Sequence, residues 1–255
     1  MVELKTAQEI VVMREAGRVV ARALAAVRDA AAIGVRLREL DEVAATVIAD
    51  AGALPAFLNY QPESAPVPFP GVICASVNDA VVHGVPNDYR IRDGDLVSID
   101  CGAFVGGWCG DAAISFVVGT VDAADTALIT ATEAALAAGV AAAQLGNKLG
   151  DVSAAIGNSA RAAGFGMLDN HGGHGIGRAM HEDPHVANEG RAGCGMRLRA
   201  GLVLALEPML IAEGTDDYRH DEDGWTLRTA SGARAAHVEH TIAITDRGPQ
   251  ILTTV

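Results

Sequence analysis

Residues 95–119 read DLVSIDCGAFVGGWCGDAAISFVVG. Two strand-like runs flank Val105-Gly106-Gly107, and glycine at a hairpin apex favours a tight two-residue turn, because such turns need positive φ. A loop at 105–106 sets Asp100 directly opposite Asp111, and a loop at 106–107 makes them diagonal neighbours. Both registers keep the two aspartates on one face, since shifting the pairing sum by two preserves the pleat; a three-residue loop would part them. The other face carries Val97, Ile99, Ile114, Phe116 and Val118, an apolar core surface. Opposed carboxylates about 5 Å apart at Cβ repel each other. A cation between them removes that penalty; the alternative is two scattered aspartates on a solvent-facing strand.

Outward from this hairpin the pattern alternates in blocks. Residues 6–32 place Ile10, Met13, Val19, Val20, Leu24 and Val27 at helical spacing, and 38–51 place Leu40, Val43, Val47 and Ile48 on one stripe. Residues 72–119 read as strands, 122–145 and 150–164 as alanine-rich helices, and the rest from 167 as short strands between glycine turns. Two helices, strands, two helices, strands: the order predicts an α+β fold of two similar halves sharing one sheet. No linker or residue-level repeat is visible, and residues 1–255 are expected to form a single domain. The segment QPESAPVPFP (61–70) holds four prolines and predicts an exposed, stiff loop.

Composition narrows the function. A net charge of −13 argues against a nucleic-acid surface, which needs clustered cations. No apolar run approaches the roughly 20 residues that cross a bilayer, and the acidic, helical N-terminus is unlike a signal peptide. The four cysteines (Cys74, Cys101, Cys109, Cys194) form no CxxC pair and read as reduced thiols of a cytoplasmic protein.

Further acids sit in apolar surroundings. GLVLALEPML (201–210) reads as a strand carrying Glu207 beside Val203 and Ala205, and AAHVEHTIAIT (235–245) as one placing His237, Glu239 and Thr241 on one side. A buried, unpaired carboxylate is expensive; for Glu207 a strand-end position with its head in water is the competing reading. The stretch NHGGHGIGRAMHEDPHV (170–186) adds four of the eight histidines among four glycines. Four carboxylates with one imidazole suit a pair of divalent ions of the Mn, Fe, Co or Zn type. Two such ions activate a shared water and polarise the carbonyl that it attacks, so the expected chemistry is hydrolysis.

The ordered set SVNDAVVHG (76–84), IDCG (99–102), CGDAAISF (109–116), GGHGIGRAMHEDP (172–184), LALEP (204–208) and VEHT (238–241) resembles the methionine aminopeptidases of the metal-dependent pita-bread fold. The likeness covers nearly the whole chain, including TAQEIVVMREAGRVV (6–20), and its length fits the short bacterial type. The resemblance implies a pseudo-twofold sheet with helices on its outer face, and release of N-terminal methionine where the second residue is small. It implies two divalent ions held by Asp100, Asp111, His174, Glu207 and Glu239, with Asp111 and Glu239 bridging. Glu207 would also move a proton, while His83 and His181 would contact substrate and steady the developing intermediate. Tyr60, Phe69, Cys74 and Trp225 would wall the methionine pocket, ordinary core packing being the alternative for each. His171 and His185 read as polar loop residues, and His220, His237 and His240 as structural. The implied partners are peptide and nascent-chain N-termini, met by a monomer in the cytoplasm, with transient ribosome contact.

Three positions depart from the family pattern. QPESAPVP replaces a very short turn between Tyr60 and Phe69, Ala112 stands where a threonine is usual, and Ser98 where an asparagine is common. Two other readings follow: the same dimetal chemistry on X-Pro peptides, to which the 61–68 insertion would contribute, or a catalytically inactive binding module.

Overall fold

The structure is a computed structural model that describes residues 2–63, 65–168 and 170–255. Helix α1 (Ala7–Ala30) opens on a capping box: Thr6 accepts from the Glu9 amide, and the Glu9 carboxylate accepts from the Thr6 amide. Its buried stripe of Met13, Ala16, Val20, Leu24 and Val27 recurs every three to four residues. Helix α2 (Leu37–Asp50) buries Leu40, Ala44 and Ile48 in the same way. Helices α3 (Ala123–Ala142) and α4 (Leu149–Ala162) form a second pair. Helices α1 and α3 lie within the predicted spans, and α2 and α4 each begin one residue ahead of theirs.

Among the described residues, nine strands form one antiparallel sheet. The strands that matter here are β1 (Ile73–Val77), β2 (Asp95–Val105), β3 (Trp108–Val118), β4 (Gly172–Gly175), β5 (Glu182–Ala187), β6 (Val203–Leu206), β7 (Met209–Ile211), β8 (Ala235–His237) and β9 (Glu239–Thr245). In the large sheet the order runs β2-β3-β9-β6-β4-β5, with β1 on the outer side of β2. Helices α1 and α2 cover the first half through Val97, Ile99 and Ile73. Helices α3 and α4 cover the second through Leu204, Leu206, Ile242 and Ile244. Both helix pairs thus lie on one face of a shared sheet, as the two-halves reading predicts. The opposite face is left for polar side chains.

The hairpin takes the 106–107 loop, with Gly106 at φ 56° and Gly107 at φ 77°. Two successive positive φ values are a conformation that glycine adopts without penalty. The register therefore pairs Asp100 with Ala113 and Gly102 with Asp111, the diagonal arrangement of the two aspartates.

Two strand predictions need correction. Residues 201–210 and 235–245 are not continuous strands. Each breaks after a few residues and changes sheets: β6 and β9 pair in the large sheet, while β7 and β8 pair in a small one. The breaks fall at Glu207-Pro208 and at Val238, and the Val238 amide donates to the Pro208 carbonyl at 3.4 Å. Proline lacks an amide hydrogen and cannot continue a ladder, so the two chains leave the sheet side by side. Glu207 consequently stands in the gap between strands rather than on one.

The glycines beside His174 serve close packing of the strands. A Cβ on Gly173 would run into the Ala205 carbonyl of β6, and one on Gly175 into the Asp183 carbonyl of β5. They let β4 lie tightly between its neighbours, which fixes the position of His174. His185, read as a loop residue, lies on β5 directly opposite His174.

A candidate dimetal site on the polar face of the sheet

The sheet register assembles the site in two adjacent rows. Asp100, Ala113 and Glu239 stand side by side on β2, β3 and β9. In the next row Asp111 is bonded to Thr241: its amide donates to Thr241 Oγ1 at 3.0 Å, and that hydroxyl donates to the Asp111 carbonyl at 2.8 Å. Thr241 pairs with Ala205, and Ala205 with His174. Four strands therefore deliver Asp100, Asp111, Glu239 and His174 to one spot, and Glu207 enters from the break after β6.

These five side chains line a single cavity, together with His83, His181, Tyr60, Phe69, Cys74 and Trp225. All eleven are residues that the sequence singles out. Two further residues of the wall, Phe57 and Met180, carry no such signal, because nothing distinguishes them from ordinary core residues. His237 was assigned a structural part, yet its Nε2 lies 3.7 Å from Glu207 Oε2 and 3.7 Å from Glu239 Oε2.

Donor atoms cluster in two triads that share Glu239. Asp111, His174 and Glu239 form one, and Glu207, His237 and Glu239 the other, with the atoms of each within 4.8 Å of one another. His174 Nδ1 lies 2.9 Å from the Gly175 carbonyl. A carbonyl only accepts, so Nδ1 carries the proton and Nε2 presents its lone pair to the cavity, 3.5 Å from Glu207 Oε1. Burial pushes the His174 pKa down to about 3, helped by His181, and the ring is therefore neutral, as a ligand must be.

The carboxylates are electrostatically unsatisfied. Burial raises Asp100 to about 7, and burial followed by mutual repulsion holds Asp111, Glu207 and Glu239 well above the usual carboxylate range. Among the described residues no cation offsets these shifts; the charges acting on the four acids are one another's. Asp100 Oδ1, Asp111 Oδ1, Glu239 Oε1 and His237 Nε2 are buried without any hydrogen-bond partner. Buried polar groups are rarely left so, and orphaned carboxylate oxygens on three converging acids are what divalent ions would satisfy. The oxygen-rich set with neutral imidazole suits the Mn–Zn series.

Around this centre stand residues able to handle a peptide. The Tyr60 hydroxyl lies 3.0 Å from His181 Nδ1, and the two rings stack at 5.4 Å. The His181 ring lies 4.2 Å from that of His174, and burial lowers its pKa. His83 sits at a positive φ of 58°, and burial takes its pKa to about 4, with His171, His181 and His220 adding repulsion. A left-handed φ at a bulky non-glycine residue is a strained placement that tertiary contacts must hold. Trp225 meets Phe69 edge-on at 5.2 Å and His83 at 6.3 Å. Cys74 pairs with Asp100 across β1 and β2, and burial holds its thiol well above its usual pKa. It is an apolar wall, not a nucleophile.

The 61–68 insertion closes on itself at the cavity mouth. The Asn59 amide donates to the Phe69 carbonyl and the Phe69 amide to the Tyr60 carbonyl, both at 2.9 Å. Trp225 Nε1 donates to the Val67 carbonyl at 2.9 Å. Pro66, Val67 and Pro68 are exposed as predicted, while Ser64 lies outside the described residues. The serine at 98 pairs with Ser115 at 2.7 Å, and Ala112 is buried in the core beneath α1.

Comparison with known proteins accords with this geometry. Residues 11–246 match Metallopeptidase family M24. Methionine aminopeptidase 1 of Mycobacterium tuberculosis (strain CDC 1551 / Oshkosh) is 51% identical over 260 residues, covering 99% of this chain and 95% of the relative. The crystal structure of the Thermotoga maritima methionine aminopeptidase superposes with a TM-score of 0.95 at 38% identity, each chain covered in full. The prolidase of Pyrococcus furiosus has a TM-score of 0.79 at 23% identity, and the chain spans 65% of it; that likeness is one of fold. The chain belongs to the M24 metallopeptidases, and within them to the methionine aminopeptidases of short bacterial form. The fold is theirs: a curled antiparallel sheet with helices on one face.

Proposed function

We infer that the protein is a metal-dependent aminopeptidase that releases N-terminal methionine. The observation that carries the chemistry is the convergence of four uncompensated carboxylates, two of them fully buried, on a neutral imidazole. Asp100, Asp111, His174, Glu207 and Glu239 would hold two divalent ions of the Co, Mn, Fe or Zn type. When bound, such ions supply Lewis acidity, lowering the pKa of the attacking water and polarising the scissile carbonyl.

The chain's own groups do the rest. Glu207, buried and raised in pKa, takes a proton from the attacking water and returns it to the leaving amine. The Tyr60 hydroxyl lies 3.0 Å from His181 Nδ1; in the tautomer in which it donates there, Nε2–H of His181 is left to donate to the substrate carbonyl oxygen as negative charge develops. His83, neutral and held against Trp225, contacts the substrate from the other side. Tyr60, Phe69, Cys74 and Trp225 form an apolar, adaptable wall that suits an unbranched thioether chain. The substrates are peptide and nascent-chain N-termini with a small second residue. Residues 1–255 act as one catalytic unit, as a cytoplasmic monomer with transient ribosome contact. Among the described residues no helix is long and apolar enough to cross a membrane.

The X-Pro alternative rests on the 61–68 insertion, which touches Trp225 through Val67 and so sets the mouth past which the second residue lies. Metal-loaded protein assayed on Met-Ala-Ser, Met-Pro and Ala-Pro peptides separates the two. Methionine release from Met-Ala-Ser with Ala-Pro intact is expected; cleavage confined to Ala-Pro would keep the chemistry and overturn the substrate.

A further inference from the structure

His237 has a position that the roles above do not use. It ends β8, where the chain leaves the small sheet, and its side chain is buried at 2% exposure. Its backbone is clamped by the central hairpin. The His237 amide donates to Ser115 Oγ at 3.0 Å, Ser115 Oγ donates to the His237 carbonyl at 2.8 Å, and Ser98 Oγ lies 2.7 Å from Ser115 Oγ. A hydroxyl has one proton, so Ser98 donates to Ser115, and Ser115 accepts twice while giving its own proton to His237. Two serines on the same face as Asp100 and Asp111 thus fix the imidazole relative to the acids.

The ring presents Nε2, a buried atom with no hydrogen-bond partner, equidistant from Glu207 and Glu239. Both glutamates line the cavity, and His237 does not. It stands behind them. Glu207 is therefore bracketed, with Oε1 facing His174 Nε2 at 3.5 Å and Oε2 facing His237 at 3.7 Å.

We propose that His237 is a positioning residue of the metal centre, its Nε2–H serving as the donor that Glu207 and Glu239 share from the core side. Hydrogen bonds of this kind measure about 2.7–3.2 Å, so a carboxylate movement of less than about 1 Å engages it. The donor then aims the free oxygens of both glutamates into the cavity, as partners behind the ligands do in metal sites. The inference rests on the dimetal reading of the site.

The test titrates Co(II) into metal-stripped full-length wild type, His237→Leu and His237→Gln. It follows the visible absorption of bound cobalt and the calorimetric affinity, with melting of each metal-free protein alongside. His237→Leu is expected to weaken cobalt binding by about 10–100-fold and to change the absorption bands, without lowering the metal-free melting temperature. His237→Gln, whose amide also donates, is expected to recover most of the affinity. Tight cobalt binding with an unchanged spectrum in His237→Leu would overturn the proposal. So would equal losses in both variants that track a fall in metal-free stability, which would make the ring packing alone. Loss of an imidazole from the cobalt shell of His237→Leu, read by X-ray absorption, would make it a ligand instead and overturn the positioning role. Failure of wild type to bind cobalt would instead overturn the dimetal reading itself.

Discussion

At the scale of single residues the site is a set of groups that the rest of the chain declines to neutralise. Asp111, Glu207 and Glu239 are each surrounded by enough protein, and by enough of one another's charge, to be held well above the ordinary carboxylate pKa. The histidines go the other way and stay neutral through burial. Tyr60 tests the residue scale most simply. Its hydroxyl lies 3.0 Å from His181 Nδ1, and removing one such bond is worth about 0.5–1.5 kcal/mol. Tyr60→Phe is expected to lower kcat by about 2–10-fold with metal content unchanged, read from steady-state kinetics and metal analysis. An unaltered kcat would remove Tyr60 from the proton-ordering role. The acids were legible in the sequence because each interrupts an apolar run, and such interruptions are costly unless they serve a purpose. His237 was not legible, because its relation to Glu207 depends on where two separate strands end.

At the scale of elements the decisive features are a hairpin and two breaks. The hairpin register follows from Gly106 and Gly107, which take the positive φ values that the two-residue loop requires. That register places Asp111 against Thr241, whose hydroxyl satisfies both the amide and the carbonyl of the aspartate. Thr241→Val keeps the shape of the side chain and orphans two buried backbone groups, each worth about 1–3 kcal/mol. Urea unfolding of the metal-free protein is expected to show a loss of about 2–4 kcal/mol; a change under about 0.5 kcal/mol would mean that the bond is idle. The breaks after β6 and β8 were hidden in the sequence. Apolar alternation runs straight through 201–210 and 235–245, and alternation reports a pleated, half-buried strand without saying which sheet it joins. Pro208 was the one local signal, since it removes the amide that a continuing ladder would need.

At the scale of the whole molecule the two helix pairs and the shared sheet make a frame whose purpose is geometric. Helices on one face bury the apolar residues of both halves, and the polar face brings residues 100, 111, 174, 207 and 239 together from across the chain. The order of blocks was readable from periodicity alone. The curl of the sheet and the depth of the cavity were not, because they arise from long-range pairing such as that of β3 with β9. This convergence is expected to work only with metal bound. The measurement that tests it most directly is methionine release from Met-Ala-Ser by metal-stripped protein titrated with Mn(II) or Co(II), with Asp111→Asn in parallel. The stripped wild type should be inactive and regain activity on titration, while Asp111→Asn should fall by more than about 100-fold, beyond what loss of an outer partner causes. Methionine release that persists without metal, or that survives in Asp111→Asn, would contradict it.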